Sequence, residues 1–189
     1  MTDHEAMVRY DQLTTRVYEE RRITPVSPIP LTLPAGSLCA LIGAPGSGKS
    51  TFAAHYPDTW RVCLDTYRGL TTDSDADQSA TPVAAEIQTL ILDARLSRGL
   101  NVLVDSTNVF PHVRAGLLAR ARYWQRPTAA ILFDVPLDTT LAQNQARPRV
   151  VPTHVVRELY HHLPSVQQLK TEGFGVVCRI SNLALPTQG

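Results

Sequence analysis

Gly43-Ala44-Pro45-Gly46-Ser47-Gly48-Lys49-Ser50-Thr51 is the stretch that decides the fold. It fits G-x-x-x-x-G-K-[ST], in which a glycine-rich turn aims successive backbone N–H groups at phosphate oxygens. In such a loop Lys49 places a point charge on the β- and γ-phosphates, and the Ser50 hydroxyl can ligate Mg²⁺. Leu38-Cys39-Ala40-Leu41-Ile42, immediately before it, reads as a buried strand, and a helix follows from Lys49 to about Tyr56. The helix start adds its positive dipole end to the loop.

Working outward, apolar runs and helical periods alternate. Strands are predicted at 60–64, 100–104, 128–133 and 175–180, and helices at 82–98, 111–124, 137–146 and 152–162, the last with an extension past Pro164. Leu70 to Thr81 is polar and acidic and reads as a loop facing the substrate side. Strands that are continuous apolar runs, alternating with helices, imply a parallel sheet covered on both faces. Ligands bind beyond the carboxyl ends of such strands. That rule gathers the phosphate loop, Asp65 and Asp105 on one rim.

The chemistry at the rim suits phosphoryl transfer. Asp65 can orient an acceptor hydroxyl and take its proton. Arg68 can hold an anionic group on the acceptor, because a planar guanidinium matches phosphate. Asp105 stands where an acid organises Mg²⁺ and its waters. Arg147 and Arg149 flank Pro148 between two helices, the place for a lid of about residues 143–165 over the triphosphate, and either can be the clamp.

Composition sets the bounds. The chain has 189 residues, 43% hydrophobic and 19% charged, enough for one domain with a real core. A formal net charge of +1 gives no field for long nucleic-acid tracts or for membranes, yet leaves room for a short basic groove. Cys39, Cys63 and Cys178 lie in separate apolar runs, which fits buried thiols in a cytoplasmic protein rather than a disulfide frame. The six histidines show no metal-ligand spacing. No apolar run approaches membrane length, and no signal-peptide pattern opens the chain. Residues 1–30 comprise an amphipathic helix over Asp3 to Arg22 and a proline-rich connector, with a short edge strand at 29–33 to follow. The helix stripe suits packing on the chain's own domain, or an arm for a homo-oligomer. The remainder, 31–189, reads as a single domain.

Together, the phosphate loop, Asp65-Thr66-Tyr67-Arg68-Gly69, Asp77-Gln78-Ser79-Ala80-Thr81, Val104-Asp105-Ser106-Thr107-Asn108-Val109 and Phe133-Asp134-Val135-Pro136 resemble the polynucleotide 5′-kinase family, above all the kinase module of bacterial RNA-repair kinase-phosphatases. The resemblance runs over about residues 37 to 160 and leaves out residues 1–30. It implies a P-loop kinase fold, with a five-stranded parallel sheet in the order 2-3-1-4-5 and a small lid. It further implies ATP and Mg²⁺ as cofactors, with Gly43 to Thr51 and Asn108 on the nucleotide. Ser50, and Asp105 through water, would hold the metal. Asp65 would be the general base on a 5′-hydroxyl, and Arg68 would grip the neighbouring phosphate. A lid arginine would clamp the triphosphate. Two other readings keep the same loop: a kinase for a small-molecule hydroxyl, and a non-catalytic nucleotide switch that holds a partner.

Overall fold

The computed structural model describes residue 31 and residues 33–181. The helix, connector and edge strand expected over residues 1–33 lie outside the described residues almost entirely. Described residues from 33 onward fall in one compact unit. None of its helices is long and apolar enough to cross a membrane.

Strand β1 (Leu38–Ile42) is the centre of the sheet and is wholly buried. It leads through the phosphate loop into α1 (Lys49–Ala53). Strand β2 (Arg61–Val62), α2 (Leu64–Thr72), α3 (Thr81–Ser97) and β3 (Val102–Asp105) follow. The chain continues with α4 (Pro111–Tyr123), β4 (Thr128–Phe133), α5 (Leu137–Gln145), α6 (Thr153–His161), α7 (Val166–Glu172) and β5 (Val176–Ile180). The five strands pair in the order β2-β3-β1-β4-β5, every pair parallel, which is the order the resemblance implied.

Burial of all five β1 residues requires a layer on each face of the sheet. Leu38, Ala40 and Ile42 point to a core built with Leu92 and Leu96 of α3, Leu117 and Leu118 of α4 and Leu169 of α7. On Phe133 of β4, Phe52 of α1 packs edge-on with ring centroids 5.6 Å apart. Register sets the rim: Leu41 stands opposite Asp105 and Ile42 opposite Leu132, so the ends of β1, β3 and β4 lie level with the start of the phosphate loop.

Several expectations need correcting. The run Trp60 to Leu64 is not a full strand. Only Arg61 and Val62 join the ladder, and a helix begins at Leu64 with Cys63 as its extended N-cap. The helical pattern was present in Leu64, Tyr67 and Thr71, but Val62-Cys63-Leu64 also reads as a short apolar strand, and strand and helix cannot be separated over so short a run. Consequently Asp65 lies in the first turn of a helix, where the macrodipole favours a carboxylate. The stretch from Leu70 to Thr81 is also not a plain loop. Helix α2 runs to Thr72 and ends with Asp73 in the left-handed region (φ 58°), its N–H donating to the Gly69 carbonyl. Asp77 then caps a single 3₁₀ turn at Gln78–Ala80, its carboxylate accepting from the Ser79 N–H at 2.9 Å and the Ser79 hydroxyl at 2.6 Å. Past Pro164, the expected extension of α6 is a separate helix, α7, capped by the Ser165 hydroxyl. Helix α1 stops at Ala53, short of the expected end near Tyr56; elsewhere the boundaries agree to within a residue or two. Gly99 follows the end of α3 at φ 70°.

Candidate active site

The phosphate loop is built as its residue types demand. Gly46 and Gly48 take φ of 88° and 91°, a region that side chains rarely adopt. A Cβ on Gly46 would also lie 2.4 Å from the Thr140 carbonyl oxygen and 2.9 Å from the Asn144 nitrogen, so the loop is seated directly on α5. At the other end, the Gly43 N–H donates to the Thr107 carbonyl at 3.0 Å. Ala44 and Ser47 are buried, Pro45 is half-buried, and Ser50 and Thr51 face outward on α1.

Lys49 is folded back into this loop. Its Nζ donates to the carbonyls of Gly43 at 2.7 Å and Ala44 at 2.8 Å, and to Ser47 Oγ at 3.4 Å. Burial pushes its pKa down from 10.5 to about 8; the Asp105 charge opposes this, Arg147 adds to it, and Asp65 opposes it more weakly. A pH dependence follows. Above about pH 8 the empty protein loses the Lys49 proton, whereas bound phosphates would favour the charged form. Nucleotide affinity, measured by titration, should therefore hold below pH 8 and fall above it. Stability runs the other way. Between pH 8 and 10.5 the unfolded chain keeps this proton and the folded chain does not, so folding gains stability as pH rises through that window. The melting temperature of nucleotide-free protein should rise there relative to Lys49→Met, which lacks the group.

Beside the loop stands Asp105, the last residue of β3 and 5% exposed. Arg61 donates to its Oδ2 from both Nε (2.8 Å) and Nη2 (2.6 Å). The sequence reading missed Arg61. Its signal was a lone cation at the start of an otherwise apolar strand, which calls for an acid on the neighbouring strand. Asn108 (φ 48°) is 3% exposed, and its Nδ2 donates to the carbonyls of Leu41 at 2.8 Å, Val104 at 3.1 Å and Ser106 at 3.2 Å. Its amide nitrogen thus ties the ends of β1 and β3 together. Arg114, a fully buried residue also missed, holds this turn from below. Its Nη1 donates to the carbonyls of Asn108 at 3.0 Å and Val109 at 2.6 Å, while Nε and Nη2 reach the two Glu172 oxygens, each at 2.6 Å.

Across the rim, Asp65 is held between two arginines. Arg68, 5% exposed, pairs with Asp65 Oδ1 and donates from Nε to the Asp75 carbonyl at 3.0 Å. Arg149 donates from Nη1 to Asp65 Oδ2 at 3.1 Å and to the Asp75 carbonyl at 3.2 Å. It also lies 3.6 Å from Asp75 Oδ2. Arg147 is exposed, and its guanidinium has no hydrogen-bond or ion-pair partner among the described residues. Both arginines ride on the loop 146–152, which Asn144 closes like a staple: Nδ2 donates to the Val151 carbonyl at 2.8 Å, and Oδ1 accepts from the Val151 N–H at 3.2 Å. Asn144 is fully buried and was not singled out from sequence.

The donor set fits a nucleotide with Mg²⁺. The cradle at Gly46 has no room for a Cβ, Lys49 lies within it, and Asp105 Oδ1 is left free by Arg61. Among the described residues the sequence-predicted site residues therefore divide into two sides. Gly43 to Thr51 and Asp105 make one, with Asn108 bracing its strand ends. Asp65 and Arg68 make the other, and Arg147 and Arg149 lie on the loop beside both.

A family model described as an AAA domain matches residues 38–164. Among solved structures, a chain of the Pnkp1/Rnl/Hen1 RNA repair complex is 25% identical over 77% of this chain, with a TM-score of 0.58. The match takes in 48% of that chain, so the protein spans about half its length. A gluconokinase from Sinorhizobium meliloti 1021 is 14% identical, covering 82% of this chain and 86% of that one at a TM-score of 0.50. Chaetomium thermophilum Kti12 in complex with ADP-AlF3 is 14% identical, covering 76% and 88% at a TM-score of 0.52. The last two show the fold alone, which is P-loop kinase-like.

Proposed function

The chain belongs to the AAA-domain family matched over residues 38–164, and from that premise we propose that it is an ATP-dependent kinase for the 5′-hydroxyl of a polynucleotide end. The observation that carries this reading is Asp65. It is a half-exposed carboxylate in the first turn of α2, with the buried Arg68 at its side. A nucleotide switch has no use for an acceptor base there. The likeness to a chain of an RNA repair complex supports a nucleic-acid acceptor.

In this reading Lys49 and the backbone N–H groups of the loop bind the triphosphate. Ser50, and Asp105 through water, would hold Mg²⁺, which when bound neutralises charge on the β- and γ-phosphate oxygens. Asp65 aligns the acceptor hydroxyl and takes its proton as the new O–P bond forms and the bond between the γ-phosphorus and the ADP oxygen breaks. Arg68 grips the phosphate beside the acceptor nucleoside, and Arg147 balances charge on the donor side. A formal charge of +1 favours a short end over a long tract. Free thiols at Cys39, Cys63 and Cys178 suit a cytoplasmic setting.

The test offers labelled ATP and Mg²⁺ with 5′-hydroxyl RNA, 5′-hydroxyl DNA, a 3′-mononucleotide and a panel of small alcohols side by side. Transfer to an oligonucleotide end is expected. Label on small alcohols alone would make this a small-molecule kinase, and ATP binding with no labelled acceptor would make it a switch.

A further inference from the structure

The two arginines of the loop 146–152 are engaged in different ways. Arg149 is turned to the acceptor side, on Asp65 and Asp75, while Arg147 has no partner among the described residues. We propose that Arg149 is a positioning residue of the acceptor side, which holds Asp65 and gives it up to the acceptor hydroxyl, leaving the donor phosphates to Arg147. This rests on the reading of Asp65 as the acceptor base.

Asp65 has two oxygens, and each already accepts from an arginine: Oδ1 from Arg68 and Oδ2 from Arg149. Each oxygen can accept a second hydrogen bond, so an acceptor hydroxyl competes with the guanidiniums for the Asp65 charge rather than needing a vacant atom. Arg68 cannot readily yield, being buried on α2 and tied also to the Asp75 carbonyl at 3.0 Å. Arg149 can. It is 30% exposed and sits on a loop that Asn144 fastens at Val151, so residues 146–150 can shift while the root stays in place. The ties to Asp65 and Asp75 also draw this loop over the acceptor's place. Acceptor binding and loosening of Arg149 are then coupled through Asp65.

Two measurements test this. In steady-state kinetics, Arg149→Gln should lower the acceptor KM about 3- to 5-fold, the range of a part-exposed ion pair, and leave the ATP KM unchanged. Arg149→Lys should keep the wild-type acceptor KM to within about 2-fold. Arg147→Gln should raise the ATP KM. A raised ATP KM in Arg149→Gln, or an unmoved acceptor KM, overturns the proposal. The second measurement needs no acceptor. Trypsin cuts after arginine but not before proline, so Arg147-Pro148 resists and Arg149-Val150 is the sensitive bond. Its cleavage should quicken about 3- to 5-fold in Asp65→Asn and in Asp75→Asn, because cleavage follows the population in which Arg149 is released. No quickening, or quickening equally at every arginine, overturns the proposal. Quickened cleavage with no acceptor phosphorylated would leave the tie standing and sink the kinase reading. Phosphorylated acceptors with unchanged cleavage and KM would do the reverse.

Discussion

Asp65→Asn should lower kcat for a 5′-hydroxyl oligonucleotide by roughly 10²- to 10⁴-fold, the contribution of a well-placed general base. Asparagine keeps nearly the same shape, but it is uncharged and cannot accept the hydroxyl proton. The ATP KM should stay within about twofold, because Asp65 belongs to the opposite side of the rim from the phosphate loop. Thermal stability should change little, since the side chain is 45% exposed and its ion pairs are partly hydrated. Rapid-quench measurement of one turnover separates the chemical step from product release. A fall of less than tenfold in that step would remove Asp65 from the role of base and leave it a polar contact.

Arg114→Met should destabilise the protein by about 3 kcal/mol, the low end for breaking one partner of a buried ion pair. For a domain of this size that is a fall in melting temperature of roughly 10 °C. The side chain is fully buried, and its loss strips the Asn108 and Val109 carbonyls of a donor and leaves Glu172 unpaired. Hydrogen bonds from Arg114 hold the Glu172 carboxyl below its ordinary value of 4.5. The unfolded chain therefore binds this proton more readily, and the stability it contributes is present above that value and lost as pH falls through the lowered one. Arg114→Met should lose that acid sensitivity as well as the stability. Glu172→Gln added to it should recover part of the loss, because no unpaired charge then remains. Differential scanning calorimetry across pH 3 to 7 checks all three. A drop under about 1 kcal/mol would mean the pair contributes no more than a surface one.

The sheet was legible because β1, β3, β4 and β5 are short apolar runs bounded by turn residues, and because the phosphate loop orients the first of them. Their parallel order followed from the intervening helices and from the resemblance. The half proposed for the acceptor was legible by residue and not by setting. Asp65 and Arg68 could be named, but their place on α2 could not, since Val62-Cys63-Leu64 satisfies strand and helix alike. The supporting charges were not legible at all. Arg114 looks like a solvated helix residue until Glu172, 58 positions later, is brought beneath it. Asp65 and Arg149 are 84 positions apart, and no local pattern records that they meet. Asn144 reads as a surface amide until the loop 146–152 closes over it. Each of these depends on how helices pack around the sheet, which hydrophobic periodicity does not encode.

The seams of the sheet are unequal. Strand β4 shares five register positions with β1 and five with β5, whereas β2 shares two with β3. The phosphate loop thus follows a strand of the longest ladders in the sheet, and α2, which carries Asp65 and Arg68, follows the strand with the shortest. A lineage could lengthen, tilt or replace the segment from β2 to the start of α3 without disturbing the strands that hold the phosphate loop. On such a frame the side proposed for the acceptor can drift while the phosphate loop stays fixed.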